Sequence, residues 1–362
     1  MPPAVETVER LLLRARELRA SDLHLDPTEE GLVVHARTDG VLVQIETLPR
    51  DLAPRVVGRL KTLADLLAYR TDVPQEGRIA AARSGTGAEV RVATYPTLLG
   101  ERVALRFDVP EADAPTLDAV GLPAAALAGV RSAIAEPDGV VLVTGPAGSG
   151  KSTTLYATLR DLAARTPRRS IVTVEDPVER RVAGVVQTQA NPAAGLDFAH
   201  ALRSLLRQDP EILLVGEVRD RETAQVALEA GLTGHLVLST VHAGRAASVF
   251  ARLLEMQIEP FVVTTAVRGV LAQRLVRRKC PKCASGCGTC AGTGFHGRRL
   301  IAEWLATTPR LRAAVLARGD GDALAAAAAE SGFRTIRDEA EALVAAGETT
   351  QAEVDRVLGA HG

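Results

Sequence analysis

Residues 145–153 read Gly145, Pro146, Ala147, Gly148, Ser149, Gly150, Lys151, Ser152, Thr153, a glycine-rich turn closing on a lysine and two hydroxyls. The spacing is G-x-x-x-x-G-K-[ST]. Glycines let successive backbone N–H groups wrap a phosphate chain, and a helix starting behind them favours the anion. Lys151 then reaches the β- and γ-phosphates of ATP, and Ser152 holds Mg²⁺. The bare pattern arises by chance in roughly one chain in a hundred of this length, so context decides. An apolar run at 140–143 precedes the turn and a helical pattern at 153–159 follows it, which is the strand–turn–helix setting this chemistry needs.

Three more polar groups follow short apolar runs. Glu175, Asp176 and Glu179 come after 171–174, Gly216 and Glu217 after 212–215, and His242 after 236–239. Ligands in open α/β sheets bind beyond the carboxyl ends of the strands. An acid beside a γ-phosphate orients water or holds the metal, and a histidine senses the phosphate. Each acid alone would read as a solvated loop carboxylate; its place after a buried run in a chain with a phosphate loop tips the reading to function. The 212–215 run resembles a Walker B strand, with Gly216 where the acid usually stands and Glu217 next.

All four cysteines, Cys280, Cys283, Cys287 and Cys290, form two C-x-x-C pairs at one locus. That is a Cys₄ metal pattern rather than a disulfide framework, and it suits a cytoplasmic protein. Zn²⁺ suits four thiolates; an iron–sulfur cluster or free thiols are the alternatives.

These groups need elements to hold them. In 362 residues there is room for two or three domains, with 46% hydrophobic and 24% charged residues, as in globular proteins. Net charge is −1 and aromatics are 3%, so no basic field or stacking surface points to nucleic acid. No apolar run reaches the ~20 residues of a membrane helix, and residues 1–20 do not read as a signal peptide. Residues 5–18 carry apolar side chains at helical spacing. Runs at 32–36 and 41–45 flank Asp39-Gly40, a two-residue hairpin signal. A helix at 52–67 and strands at 78–82, 89–95 and 103–107 complete an α+β unit over 1–108. A linker by composition covers 109–117, and 118–362 alternates strands and helices, predicting a mostly parallel sheet with helices on both faces. The alanine run 323–329 reads as a helix, and Gln208-Asp209-Pro210 stops a helix carrying Arg203 and Arg207.

Several long strings resemble the ATPases of type II secretion, type IV pilus and competence systems. They are ASDLHLDP (20–27), VPQEGR (73–78), RVATYPT (91–97), the phosphate loop, VEDPVE (174–179), ALRSLLRQDP (201–210), GEVRD (216–220), LTGHLVLSTVH (232–242) and AQRLV (272–276). The resemblance runs from about residue 20 to the end. It implies a small PAS-like domain followed by a RecA-like ATPase domain, working as a homo-hexameric ring against an inner-membrane platform protein, peripheral to the membrane on its cytoplasmic side. It implies that Glu175 orients the attacking water, that Glu217 is the Walker B acid, that His235 and His242 form the histidine box, and that Arg91 and Arg106 approach the γ-phosphate. The bland readings are a packed strand-end His235 and exposed sheet arginines. The family's extension and secretion branch carries such a tetracysteine. Three departures stand out. Only three residues separate the two cysteine pairs, Ala243 replaces the usual threonine after His242, and the chain starts almost at the small domain, leaving the docking surface unknown.

The resemblance implies an ATP-driven motor, in which domain movement in the ring powers filament assembly or protein secretion, and two other classes compete with it. A nucleic-acid translocase would use Arg277-Arg278-Lys279 beside the cysteines, against the charge and aromatic content. A non-hydrolysing nucleotide sensor would not need the full set of Lys151, Ser152, Glu175 and Glu217.

Overall fold

Asp39 and Gly40 take φ of 50° and 84°, the left-handed pair that lets two strands turn back in two residues. They join β2 (Gly31–Thr38) to β3 (Val41–Pro49). The computed structural model describes residues 3–108, 115–330 and 332–359, in two compact units. The first is residues 1–114 with 277–298, and the second is 115–276 with 299–362.

The first unit opens with α1 (Pro3–Glu17) and β1 (Asp22–Pro27), and after the hairpin continues with α2 (Ala53–Leu63), β4 (Gln75–Ile79), the one-turn α3 (Ala81–Ser84), β5 (Val90–Thr97) and β6 (Gly100–Phe107). The sheet order is β3-β2-β1-β6-β5-β4, with every neighbour antiparallel. Alternation puts Leu23, Leu25, Val34, Val92 and Leu105 on one face, where they meet Leu11 and Leu12 of α1 and Val56 and Leu60 of α2. The central strand β1 was missed in sequence because its alternation, Asp22 to Pro27, spans one short polar stretch. The strand expected at 78–82 lies at Gln75–Ile79 instead. Its alanine-rich end, Ala80 to Ala82, coils into α3 as helix propensity favours.

The second unit contains α4 (Ala124–Ala133), β7 (Gly139–Thr144), α5 (Lys151–Ala163), β8 (Ile171–Glu175), β9 (Val186–Gln189), α6 (Phe198–Leu205), β10 (Ile212–Val218), α7 (Arg221–Leu232) and β11 (Leu236–Val241). Then come α8 (Ala246–Glu255), α9 (Pro260–Ala266), β12 (Val267–Lys279), β13 (Phe295–Ala306), α10 (Pro309–Leu316), α11 (Gly321–Ala329), α12 (Ile336–Ala345) and α13 (Gln351–Leu358). The strand order is β13-β12-β7-β11-β10-β8-β9. The pairs from β12 through β9 are parallel. Val140 and Leu142 pack into one core with α7 and α8, and Val141 and Val143 into another with α4 and α5. Both faces are covered, which is why these strands read as unbroken apolar runs. The α/β class and the parallel sheet thus match the expectation.

Residues 109–114 of the expected linker lie outside the described residues. Its last residue, Leu117, is 1% exposed and packed in the second unit's core. The cysteine segment, expected within the ATPase domain, makes its contacts in the first unit. There Arg14 donates to the Gly288 carbonyl at 3.0 Å, and the Gly297 N–H donates to Asp39 at 2.7 Å.

Candidate functional site

The carboxyl ends of β7, β8, β10 and β11 open into a cleft of about 180 Å³, lined by Lys151, Ser152, Glu175, Glu179, Glu217 and His242 among others. Lys151 begins α5, directly after Gly150 with φ of 90°. Its ammonium donates to the carbonyls of Gly145 and Pro146 at 2.8 and 2.9 Å. Burial lowers its pKa, aided by the Arg274 charge and opposed by Glu217 and Glu179. Ser152 Oγ lies 3.4 Å from Glu179 Oε1. The elements thus bring one cation, one hydroxyl and several acids to a single cleft.

The acids differ sharply. Glu175 is 5% exposed. Its Oε1 accepts from Thr173 at 2.6 Å and from Gln187 at 3.1 Å, and its Oε2 accepts from the Tyr156 hydroxyl. Three side chains, from α5, β8 and β9, thus hold the Glu175 carboxylate at the end of its strand. Glu179, exposed on the loop after β8, keeps its carboxylate toward Ser152. The sequence places it with Glu175 and Asp176 after the 171–174 run and within the VEDPVE string, without a role of its own. The signal that could have separated it from Glu175 is position, because Glu175 still belongs to the strand and Glu179 stands four residues beyond it.

β10 shifts register against β11 between Val215 and Val218. Such a bulge re-aims a side chain at a strand end. Gly216 explains the displaced acid. A Cβ there would lie 3.3 Å from the Glu175 Cα and 3.4 Å from the Phe198 ring, so a side chain has little room and the carboxylate moves to Glu217. Glu217 is 12% exposed, paired with Arg219 through one oxygen and 3.3 Å from His242 Nε2 through the other.

The loop after β11 holds His242 by tethers on three strands. Thr144 Oγ1 both donates to the Ala243 carbonyl at 2.9 Å and accepts from its N–H at 3.0 Å. Arg274 donates to the Gly244 carbonyl at 2.6 Å, and Glu303 accepts from the Ala246 N–H at 2.9 Å. His235 is at the far end of the same strand, with Nδ1 3.0 Å from the Ala230 carbonyl. Six strand residues at about 3.3 Å each separate it from the cleft, so it packs a strand start.

Arg91 and Arg106 belong to the first unit, where they stand opposite each other on β5 and β6. Their nearest acids are Asp108 at 3.6 Å and Asp22 at 4.0 Å. Arg203 pairs with Glu222, and α6 ends at Leu205, before Arg207.

The four cysteine sulfurs lie within 4.8 Å of one another. Cys280 to Cys287 is 3.9 Å, Cys283 to Cys290 is 3.5 Å and Cys287 to Cys290 is 3.8 Å. Zn–S bonds of about 2.3 Å in a tetrahedron require S···S edges of about 3.8 Å, so the thiols fit a zinc ion. The short loop closes because Gly286 has φ of 143° and its missing Cβ would overlap the Gly292 carbonyl at 2.6 Å. Burial opposes thiolate formation at Cys290, yet the N–H groups of Cys287 and Gly294 with neighbouring thiols bring it down to about 6.

Among the described residues no helix is long and apolar enough to cross a membrane. A sequence profile described as Type II/IV secretion system protein matches residues 2–356. The chain is 43% identical to Type II secretion system protein HxcR of Pseudomonas aeruginosa, over 98% of this chain and 77% of that protein. It is 40% identical to Type II secretion system protein E of Klebsiella pneumoniae, over 98% and 76%. Among solved structures, the pilus retraction motor PilT with bound ADP has a TM-score of 0.67 at 25% identity, covering 97% of this chain and 96% of that one. The Legionella pneumophila ATPase DotB has a TM-score of 0.73 at 24% identity, covering 98% and 95%, and shares the fold. With its phosphate loop, acids and histidine gathered at the strand ends and the profile spanning nearly its whole length, the chain belongs to the type II/IV secretion system protein family, a family of secretion ATPases.

Proposed function

We propose that this chain hydrolyses ATP in the β7–β11 cleft and that the hydrolysis powers a secretion or pilus-assembly machine. The observation that carries the reading is the convergence of Lys151, Ser152, Glu179, Glu217 and His242 on one cleft. Lys151 leaves its loop carbonyls to meet the β- and γ-phosphates. Ser152 and Glu217 hold Mg²⁺, which neutralises charge on the transferring phosphoryl group when bound. Glu179 takes the water-orienting role expected of Glu175, because its carboxylate is exposed in the cleft while that of Glu175 is occupied. The phosphorus–oxygen bond to the leaving diphosphate breaks as water adds, and His242, beside Glu217, reads whether the γ-phosphate is present.

The four cysteines hold a structural zinc, a role for which all four thiolates are spent on the ion. Names of the relatives support secretion or pilus assembly as the process served. A hexameric ring at the cytoplasmic face of a membrane, pressing on a platform protein, is the working form inferred from the family. Nucleic acid is not the expected partner; Arg277 stacks on the Phe295 ring at 4.2 Å.

The deciding experiment is Lys151→Ala, which should lower ATP turnover by at least ~100-fold, as loss of a phosphoryl clamp does. Wild-type turnover in a folded Lys151→Ala protein, at saturating Mg²⁺ and ATP, would overturn the assignment.

A further inference from the structure

Glu303 lies within β13, 4% exposed. Its two carboxylate oxygens go to two different helices. Oε1 accepts from the N–H of Ala246, the first residue of α8, at 2.9 Å. Oε2 accepts from the N–H of Ile336, the first residue of α12, also at 2.9 Å. Opening turns of helices leave N–H groups without intrahelical partners and carry partial positive charge, so one buried carboxylate completes both.

Burying a carboxylate is costly unless it is fully hydrogen-bonded. Here two backbone donors meet that cost, and an apolar residue would leave both without this acceptor, so the carboxylate ties the starts of two helices to one strand. What α8 follows makes that tie matter for the cleft. Residues 242–245, the loop that carries His242, run directly into Ala246. Two of this loop's tethers come from neighbouring strands, Arg274 on β12 to the Gly244 carbonyl and Glu303 on β13 to the Ala246 N–H. Arg274 is itself held by the Gln273 carbonyl at 2.9 Å. A continuous chain of bonded groups therefore runs from α12 through Glu303 and Ala246 to His242 and Glu217.

We propose that Glu303 is a positioning residue that couples the C-terminal helix α12 to the loop carrying His242, so that the placement of α12 sets His242 against Glu217. The proposal rests on the reading of the β7–β11 cleft as the ATPase site. If α12 is displaced, Glu303 must give up one N–H or pull the start of α8 along, and either changes where the loop ends.

The test isolates the N–H groups. Ile336 is the first helical residue, where proline is tolerated because its missing N–H is otherwise an orphan. Thr335 before it has φ −76° and ψ 160°, a conformation allowed to a residue preceding proline. Ile336→Pro thus deletes the donor while keeping the helix, and Ile336→Ala keeps the donor while trimming the side chain. Turnover and fluorescent-nucleotide binding are measured on both and on Glu303→Gln, beside a wild-type protein shown to be active. Coupling predicts that Ile336→Pro lowers kcat at least ~5-fold relative to Ile336→Ala with nucleotide Kd shifted less than ~3-fold, and that Ile336→Pro adds little to Glu303→Gln, as for residues acting as one unit. A folded Ile336→Pro protein with the kcat of Ile336→Ala overturns the coupling, as do additive losses. Inactive wild-type protein instead overturns the ATPase reading beneath it.

Discussion

The Tyr156 hydroxyl donates to Glu175 Oε2 and accepts from the backbone N–H groups of Glu179 and Arg180, at 3.1 and 3.4 Å. A residue on α5 therefore fastens the strand-end acid to the loop that carries the free acid. Burial, with Glu175 adding, raises the Tyr156 pKa, so the phenol remains a donor at any working pH.

Glu175→Gln and Glu179→Gln should fail in different ways. Glu175→Gln loses acceptors for buried donors, and unsatisfied groups of this kind cost about 1–3 kcal/mol; its main symptom is a lower Tm. Glu179→Gln leaves the fold intact and lowers kcat about 100-fold or more with ATP still bound. Thermal melts and steady-state hydrolysis on both decide it, and a fully active, folded Glu179→Gln would return the role to Glu175.

Tyr156→Phe keeps the ring and removes the fastening. It should lower kcat about 10-fold, because misplacing a catalytic group by a fraction of an ångström is costly. An unaltered kcat with a lowered Tm would mean that the phenol serves stability alone.

Metal analysis should find about one zinc per chain. The loop bonds Arg14 through Gly288 and packs Ala291 against the first unit's core. Cys283→Ser or chelation should therefore speed amide exchange in α1 and leave nucleotide binding unchanged. Less than ~0.2 equivalents of zinc, with four freely titrating thiols, would exclude the structural site.

Arg91 and Arg106 form part of a cross-strand row with Arg78, where like charges stand directly opposite, and the acids beside the first two, Asp108 and Asp22, lie at 3.6 and 4.0 Å. If phosphate adds a further anion there during turnover, Arg91→Ala and Arg106→Ala should each lower kcat at least ~10-fold with nucleotide Kd shifted less than ~5-fold. Lysine should substitute poorly, lacking bidentate contact. Unchanged kcat in both variants would remove the first unit from the chemistry.

His24 gives a pH dependence. Both ring nitrogens are buried without a hydrogen-bond partner among the described residues. Its pKa is lowered from 6.5, mainly by burial, with Arg102 and Arg37 assisting and Asp22 and Asp26 opposing. A lowered histidine pKa means that the unfolded chain takes up the proton first. Its stability contribution is thus complete above 6.5 and is lost as pH falls below that value toward the folded pKa. His24→Phe should flatten the fall in Tm between about pH 7 and 5; parallel curves for the two proteins would rule this out.

Local signals in the sequence determined the phosphate loop, the hairpin at Asp39-Gly40, the buried parallel strands and the cysteine cluster. Each depends on residues close in the chain, where glycine spacing, apolar run length or thiol spacing already carries the physics. Tertiary structure alone showed how differently the two acids are held. Glu175 and Glu179 belong to one six-residue string, and although Glu175 ends the strand and Glu179 follows it, only the fold brings Tyr156, Thr173 and Gln187 around the Glu175 carboxylate. It also decided where the cysteines belong, since the Arg14–Gly288 bond joins residues 274 apart in the chain and Ala291 packs against the first unit's core. The role of Glu303 was equally hidden. A single glutamate in a long strand looks like a surface charge until α8 and α12, 90 residues apart in sequence, bring their first N–H groups to its two oxygens. Long-range pairing of this kind depends on how whole elements pack, which no local window of sequence encodes.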